Sequence, residues 1–318
     1  MQKKLLICCS VASLISSYSY AATDQDSALG LPWMTGPLLA PSGHTLAAGH
    51  TNVEPYLFVT DSFGTYTRKW ARHNTPTTIT VNPTAVITQG LSRHFDFQAA
   101  IPYVYNHKSG QSSAFFADIS TTLGYQLLEQ NKANWMPDLR LTLQETFPTG
   151  EYNDLNPAKK GTDATGAGSY QTSFGANFQK TWQFNSRYLR SRLSFIYTIP
   201  SSIKLTGVDA YGGSAATNGT LTYGNKFVTD LGFEYTLTNN WVPALDIVYE
   251  VSGNKNSFSG TPGTSTPSKP GGDQVALAPA MEYNFSQNLG IIAGVWFTVA
   301  GKNTADFVSG VFALNYYH

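Results

Sequence analysis

Residues 95–106 read Phe-Asp-Phe-Gln-Ala-Ala-Ile-Pro-Tyr-Val-Tyr-Asn, with an apolar or aromatic side chain at every second position. In an extended chain Phe95, Phe97 and Ile101 point to one face and Asp96 to the other, because successive side chains of a strand alternate sides. Such alternation is typical of a β-strand with one apolar face. The stretch is also long, since strands of soluble domains usually have about five or six residues.

The same alternation returns along the rest of the chain and predicts twelve strands. They cover 49–60, 77–89, 95–106, 115–127, 138–147, 170–179, 189–199, 227–237, 241–251, 275–285, 289–299 and 305–317. A tilted strand needs about 9 to 11 residues to cross a bilayer. We therefore predict an all-β fold, a transmembrane antiparallel β-barrel of the outer membrane with about twelve strands; roughly ten to fourteen strands would fit the same pattern.

The composition excludes several other classes of protein. Charged residues make up 13% of the chain and hydrophobic residues 42%, but no apolar run reaches the roughly 18 residues that a transmembrane helix requires. The 13% content of aromatic residues argues against intrinsic disorder. A formal net charge of zero provides no electrostatic footprint for nucleic acid.

The connections between the predicted strands alternate in length. Long polar stretches cover 61–76, 148–169, 200–222 and 252–271. Short links lie between them, as expected for outer loops alternating with periplasmic turns. An even number of strands returns both chain ends to the periplasm. The low-complexity composition of 257–270 favours a flexible, exposed loop. The alternative fold is a soluble all-β protein, secreted or periplasmic.

The first residues have the features of a secretory signal peptide. Lys3 and Lys4 precede an apolar stretch, and small residues end at Ala21, where cleavage is expected. The two cysteines, Cys8 and Cys9, would leave with this peptide. We predict a signal peptide over 1–21, an irregular segment over 22–45 and one transmembrane barrel over 46–318. The irregular segment would either tuck into the periplasmic mouth or serve as a tether.

One motif carries a family resemblance. The predicted strand 138–147 ends in Phe147-Pro148-Thr149-Gly150, the acidic residues Glu151 and Asp154 follow, and Gly166-Ala167-Gly168-Ser169 leads into the next strand. This combination resembles the outer-membrane proteins of the phenol-degradation meta-pathway (MetA) family. The resemblance implies an outer-membrane, transporter-like β-barrel that passes or binds hydrophobic and aromatic compounds.

If the apolar faces of the strands contact lipid, the opposite faces line the lumen. The charged residues on those faces are the candidate lumen-lining residues: Asp96, Asp118, Arg140, Arg190, Arg192, Asp230, Glu234, Asp246 and Glu282. Charges of both signs in a lumen tune the selectivity of a pore. They also pair across a narrow barrel and hold it shut, because buried charges need partners.

No motif indicates catalysis, a metal site or a bound cofactor. His107 and Ser109 faintly resemble the histidine and serine of outer-membrane phospholipase, but Gly110 stands where that enzyme has asparagine. The six histidines show no metal-ligand spacing such as His-Glu-x-x-His. We therefore predict no catalytic, cofactor-binding or metal-binding residue.

Two functions fit this sequence better than any other. The first is a channel or facilitated-diffusion transporter for small, aromatic or hydrophobic solutes. The second is a structural or surface-interaction barrel whose long loops bind partners without transport, and an outer-membrane lipid hydrolase is a remote third. The expected partners are outer-membrane lipid, a small hydrophobic or aromatic solute and the barrel assembly machinery. The last strand resembles those that this machinery recognises by a terminal aromatic residue, with one departure: its alternating face continues from Tyr316 to His318.

Overall fold

A computed structural model describes residues 34–130 and 135–318 of the chain. The predicted signal peptide and residues 22–33 lie outside the described residues. The strands in the described part are β1 (Thr51–Tyr66), β2 (Arg72–Gly90), β3 (Phe95–Lys108), β4 (Gln111–Phe116), β5 (Ile119–Leu128), β6 (Asp138–Phe147), β7 (Gln171–Phe184), β8 (Arg187–Pro200), β9 (Ile203–Thr206), β10 (Asn218–Tyr223), β11 (Lys226–Tyr235), β12 (Trp241–Ser252), β13 (Asn256–Thr261), β14 (Asp273–Asn284), β15 (Leu289–Lys302) and β16 (Thr304–Tyr317).

All strands except β9, β10 and β13 belong to one closed antiparallel barrel. With β4 and β5 counted as one interrupted strand, the barrel has twelve strands, and each pairs with its neighbours in sequence. Closure is made by β1, which pairs with β2 on one side and with β16 on the other. Leu57 of β1, for example, lies opposite Phe312 of β16. The predicted fold class and strand number are confirmed.

The side chains of the barrel strands alternate between a buried and an exposed face. In β1 the exposed residues Leu57 and Val59 flank the buried Phe58. In β16 the exposed residues are Val308, Phe312 and Tyr316. The exposed positions are thus largely apolar or aromatic, as a lipid-facing surface requires. Within the described residues, no helix is long and apolar enough to span a membrane.

The predicted strand 115–127 is interrupted rather than continuous. Phe116 is 57% exposed and Ala117 is 1% exposed, so the exposed face changes phase at this point. Ala117 N donates to Pro102 O of β3 (3.0 Å). This hydrogen bond joins the chain to β3 between the region where β4 pairs with β3 and the region where β5 does. Continuous alternation over the predicted strand 115–127 places Phe115 and Ala117 on one face with Ile119. That assignment is wrong for Ala117, because the break reverses the alternation.

The long outer loops contain ordered structure of their own. Strands β9, β10 and β13 form a separate three-stranded sheet, in which β10 pairs with both neighbours. Buried side chains including Leu155, Ile203, Leu205 and Leu221 form a hydrophobic cluster beneath it. Part of the low-complexity loop 252–271 is therefore a paired strand, whereas its composition predicted a flexible segment.

Candidate functional site

The N-terminal segment 34–46 lies inside the periplasmic half of the barrel. Met34, Leu38, Ala40 and Leu46 are at most 1% exposed, although the segment has no regular secondary structure. Of the two arrangements considered for this irregular segment, the structure has the inserted one for residues 34–46. The segment fills the lumen where the strands approach their periplasmic ends.

Carboxylates of the barrel wall hold the backbone of this segment. Each accepts one or two hydrogen bonds from main-chain N–H groups that have no partner in a regular ladder. The bonds run from Thr35 N to Glu282 Oε2 (2.9 Å), from Gly36 N to Glu234 Oε1 (2.9 Å), from Leu39 N to Asp246 Oδ2 (3.2 Å), from Ala40 N to Asp246 Oδ1 (3.0 Å) and from Leu46 N to Asp96 Oδ2 (3.0 Å). Charge-assisted hydrogen bonds of this kind are about twice as strong as neutral ones.

Two arginines of β8 bind the carbonyl groups of the same segment. Arg192 Nη1 donates to Ala40 O (3.0 Å), and its Nε donates to Gln179 Oε1 (2.9 Å). Arg190 Nη1 donates to Met34 O (3.3 Å). Both arginine side chains are 1% exposed. Carboxylates of the barrel wall thus accept from N–H groups of the inserted backbone, and arginines of the wall donate to its carbonyl groups.

A buried ion pair supports the wall beside the end of the segment. Arg140 Nη2 lies 2.6 Å from Asp96 Oδ1, and Arg140 Nε donates to Asp96 Oδ2 (3.1 Å). Gly124 lies on the strand between them, and a Cβ there would collide with both side chains. Arg140 thus binds both oxygens of Asp96, and Asp96 Oδ2 accepts a second hydrogen bond from Leu46 N.

The nine candidate lumen-lining residues do not all lie in this region. Eight are buried within the barrel: Asp96, Arg140, Arg190, Arg192, Asp230, Glu234, Asp246 and Glu282. Six of them bind the inserted segment directly, and Arg140 supports it through Asp96. Asp230 is 4% exposed, near the middle of β11. Asp118 is only half-buried and lies in the break between β4 and β5.

An apolar stripe on the inner wall was not predicted from the sequence. Trp296 and Phe307 are each 1% exposed, and their ring centroids are 4.8 Å apart in an edge-to-face arrangement. Phe58 and Leu38 belong to the same cluster, so the stripe reaches the inserted segment. The alternation in the sequence already indicated an inward-facing Trp296, because this residue lies on the face of the strand opposite to the lipid-facing Val295 and Val299.

Above the inserted segment, the outer half of the barrel encloses a cavity of about 1400 Å³. Its wall combines the outer ends of the strands with the loops around Leu155, Tyr211 and Lys269. Ala305 belongs both to this wall and to the apolar stripe, so the two are continuous. Burial raises the pKa of the Asp209 carboxyl in this wall, although two N–H donors of its own loop oppose the change.

The motif that carried the family resemblance is a structural clamp. Asp118 Oδ1 accepts from Gly150 N (2.9 Å), and Asp118 Oδ2 accepts from Ala167 N (2.7 Å). Gly150 and Gly166 approach so closely that a Cβ on either would collide with the other backbone. The clamp thereby closes the base of loop 148–169 and folds it over the lumen.

We expect Asp118→Ala to release this loop. The variant loses two charge-assisted hydrogen bonds, each worth about 1.5–3 kcal/mol, so trypsin should cleave after Lys159 or Lys160 at least about tenfold faster than in the parent protein. Glu151→Ala, which removes an exposed carboxylate from the same loop, is the matched control. Equal cleavage rates for both variants would show that Asp118 does not hold the loop.

The residues considered for lipid hydrolysis do not form a catalytic pair. Ser109 lies in the tight turn after β3, with a φ of 48°, and its carbonyl accepts from Lys160 Nζ (2.9 Å). Within the described part of the chain, no hydrogen bond joins the Ser109 hydroxyl to His107. No group of three or more His, Cys, Asp or Glu among those residues is arranged to hold a metal ion.

Comparison with known proteins agrees with this architecture. The family model described as "Putative MetA-pathway of phenol degradation" matches residues 62–314. No curated protein sequence matches the chain. The barrel is similar to the COG4313 outer membrane channel from Pseudomonas putida F1, with a TM-score of 0.69 and 12% identity over 87% of this chain and 98% of that one.

Two further solved structures are similar at a lower level. The translocator domain of the autotransporter NalP from Neisseria meningitidis has a TM-score of 0.46 and 12% identity, over 85% of this chain and 88% of that one. The Pseudomonas putida toluene transporter TodX has a TM-score of 0.40 and 10% identity, over 98% of this chain and 97% of that one. The likeness to the COG4313 channel, with its TM-score of 0.69, shows that the fold is that of an outer-membrane barrel.

Proposed function

We propose, because this chain belongs to the MetA-pathway of phenol degradation family and forms an outer-membrane barrel, that it is a channel for facilitated diffusion of small aromatic or hydrophobic solutes. One observation carries the proposal. The apolar stripe on the inner wall begins at the outer cavity and ends at the inserted segment 34–46. Transport by this route requires no catalysis, and none is proposed.

The stripe suits an aromatic solute for two physical reasons. Aromatic rings attract one another in edge-to-face geometry by about 0.5–1.5 kcal/mol beyond the burial of their area. In addition, the buried indole Nε1 of Trp296 makes no hydrogen bond to the described part of the protein. A solute that combines a ring with a hydroxyl group would engage both features.

The eight buried charged residues have a different role in this proposal. Seven of them hold segment 34–46 in place, Arg140 through Asp96 and the other six directly, while the solute follows the apolar side of the lumen. When the segment leaves, the carboxylates that bind its backbone become exposed to the lumen. The charge selectivity of the lumen would then depend on how far the segment moves. Asp118 belongs to the loop clamp and is not proposed as a lumen residue.

Single-channel conductance in a planar bilayer, with and without phenol, tests this function. We expect small discrete openings that phenol blocks, because the solute would occupy the same path as the ions. A silent barrel that binds no phenol would contradict the proposal. It would favour a surface role for the outer loops, whose ordered three-stranded sheet is the feature that supports the alternative.

Trp296→Ala should weaken the block by phenol by a factor of about 2 to 10, which corresponds to the loss of one aromatic pair. Trp241→Ala is the matched control, since Trp241 is 47% exposed on the outer face of the barrel and should leave the block unchanged. Heat-modifiable migration of both variants would show that they are folded. Equal block in all three proteins would exclude Trp296 from the path.

A further inference from the structure

The outer cavity contains a lysine ammonium that is held against two aromatic rings. Lys269 Nζ lies 4.2 Å from the ring centroid of Tyr223 and 5.9 Å from that of Tyr211. Both rings are fixed by their hydroxyl groups. Tyr211 donates to Ala167 O (2.6 Å), and the Tyr223 hydroxyl lies 2.6 Å from Ser169 Oγ. The ammonium is therefore positioned by a rigid wall, as in other cation–π contacts.

The backbone beside Lys269 is also held in place. Lys269 N donates to the side chain of Asn256 (3.0 Å), and Ser268 N donates to Tyr211 O (3.1 Å). The first contact lies within loop 252–271, and the second joins that loop to loop 200–222. A charged group on an ordered backbone loses little conformational freedom when it binds a ligand, so the site is preorganised.

The acidic residues of the cavity wall are engaged elsewhere. Their partners are Lys226 for Glu250 (3.9 Å), Lys302 for Asp273 (3.3 Å), and the backbone N–H groups of Tyr211 and Gly213 for Asp209 (2.8 and 3.0 Å). No ion pair with an acidic side chain is formed by Lys269 in the described ranges. The Asp118 carboxylate lies near enough to interact with the charge of Lys269, but it accepts hydrogen bonds from Gly150 N and Ala167 N and forms no ion pair with this lysine, which lines the cavity.

The remainder of the wall near this charge includes apolar surface. Leu155, Val208, Ala210 and Pro270 all line the cavity. A cavity of about 1400 Å³ is larger than the roughly 300–1,000 Å³ of typical small-molecule sites. Apolar wall beside a small number of placed polar and charged groups is the usual composition of a site that orients a small organic ligand.

We propose that this cavity captures a small aromatic anion, whose carboxylate binds the ammonium of Lys269 and whose ring packs against the apolar wall. The inference deepens the proposed channel function and rests on it, since the site stands at the outer entrance of the same path. It adds that, among aromatic solutes, those that carry one negative charge are captured most tightly at the outer entrance.

Binding of benzoate, benzyl alcohol and benzylammonium to the detergent-solubilised barrel tests this site. These probes share a ring and differ in charge, so at low ionic strength we expect benzoate to bind tightest and benzylammonium weakest. Lys269→Met should lower the affinity for benzoate by about tenfold or more, the loss expected for a charge-assisted hydrogen bond, and leave that for benzyl alcohol unchanged. Lys255→Met, which removes an exposed lysine from the same outer region, is the control.

Two results would overturn the inference. One is any other order of affinity in the unmodified protein, a measurement that does not depend on how the variants fold. The other is an equal loss of benzoate binding in both lysine variants, which would reflect general surface charge. Because binding is measured in detergent, it is independent of transport. A barrel that binds benzoate through Lys269 but passes no solute would contradict the channel function alone.

Discussion

A chain that lacks residues 34–46 is expected to conduct several times more current than the protein that retains them. The segment fills the periplasmic half of a twelve-strand barrel, whose interior is wider than that of a small barrel filled by wall side chains. Without the segment, water would enter and hydrate the carboxylates that now bind its backbone. No charge would be left both buried and unpaired, so the barrel itself should persist. Planar-bilayer conductance measures the difference.

The open lumen is also expected to select cations. The buried charged side chains on its strands in the described part are the acids Glu54, Asp96, Asp138, Asp230, Glu234, Asp246, Glu250, Glu282 and Asp306 and the bases Arg140, Arg190 and Arg192. Excess negative charge along a pore attracts cations and excludes anions. The reversal potential in a potassium chloride gradient should therefore move toward the potassium equilibrium potential when the segment is deleted.

A point substitution provides a milder version of the same test. A Cβ at Gly43 would lie 2.6 Å from Gln179 Cβ, so Gly43→Ala should push the segment away from the wall and increase the open time. Ala48→Ser, at an exposed position just beyond the segment, should behave like the parent. Unchanged conductance in both the deletion and Gly43→Ala would contradict the role of the segment as a plug.

The sequence predicted the barrel well because a strict physical rule governs it. A strand between lipid and lumen must alternate, and that requirement is visible in residues such as Phe95 and Asp96 without knowledge of the pairing. The family resemblance is confirmed by the match over 62–314. The interruption at Ala117 was missed, because it depends on the carboxylate of Asp118 binding a loop that is distant in sequence.

The sequence alone could not distinguish a segment inserted into the barrel from a tether outside it. Its hydrogen bonds are made by backbone N–H and C=O groups, which nearly all residue types carry. No side-chain pattern in 34–46 therefore predicts them. Only the sequence of the barrel wall indicates that something binds inside the lumen, because charged residues such as Asp246 and Arg192 on an inner face need partners. The aromatic stripe was missed for a related reason: Trp296 alone does not reveal whether its face meets lipid or lumen.

Arg140→Met is expected to destabilise the folded barrel by about 3–5 kcal/mol, the usual cost of leaving one partner of a buried ion pair uncompensated. Arg140 and Asp96 have side chains only 2% and 0% exposed. The exposed pair of Arg93 and Glu129, with a separation of 3.4 Å, supplies the control. Arg93→Met should change stability by less than about 1 kcal/mol. Urea unfolding in detergent measures both.

Gly124 allows the same pair to be tested without removing either charge. Because a Cβ at this position would collide with both Asp96 and Arg140, Gly124→Ala should destabilise the barrel in the same direction as Arg140→Met. The double variant Asp96→Asn with Arg140→Met should be more stable than Arg140→Met alone, since the neutral amide no longer leaves a buried charge unpaired. If the double variant were no more stable than the single one, the ion pair would not be the source of the loss. The wall around Leu46 would then depend on packing rather than on charge.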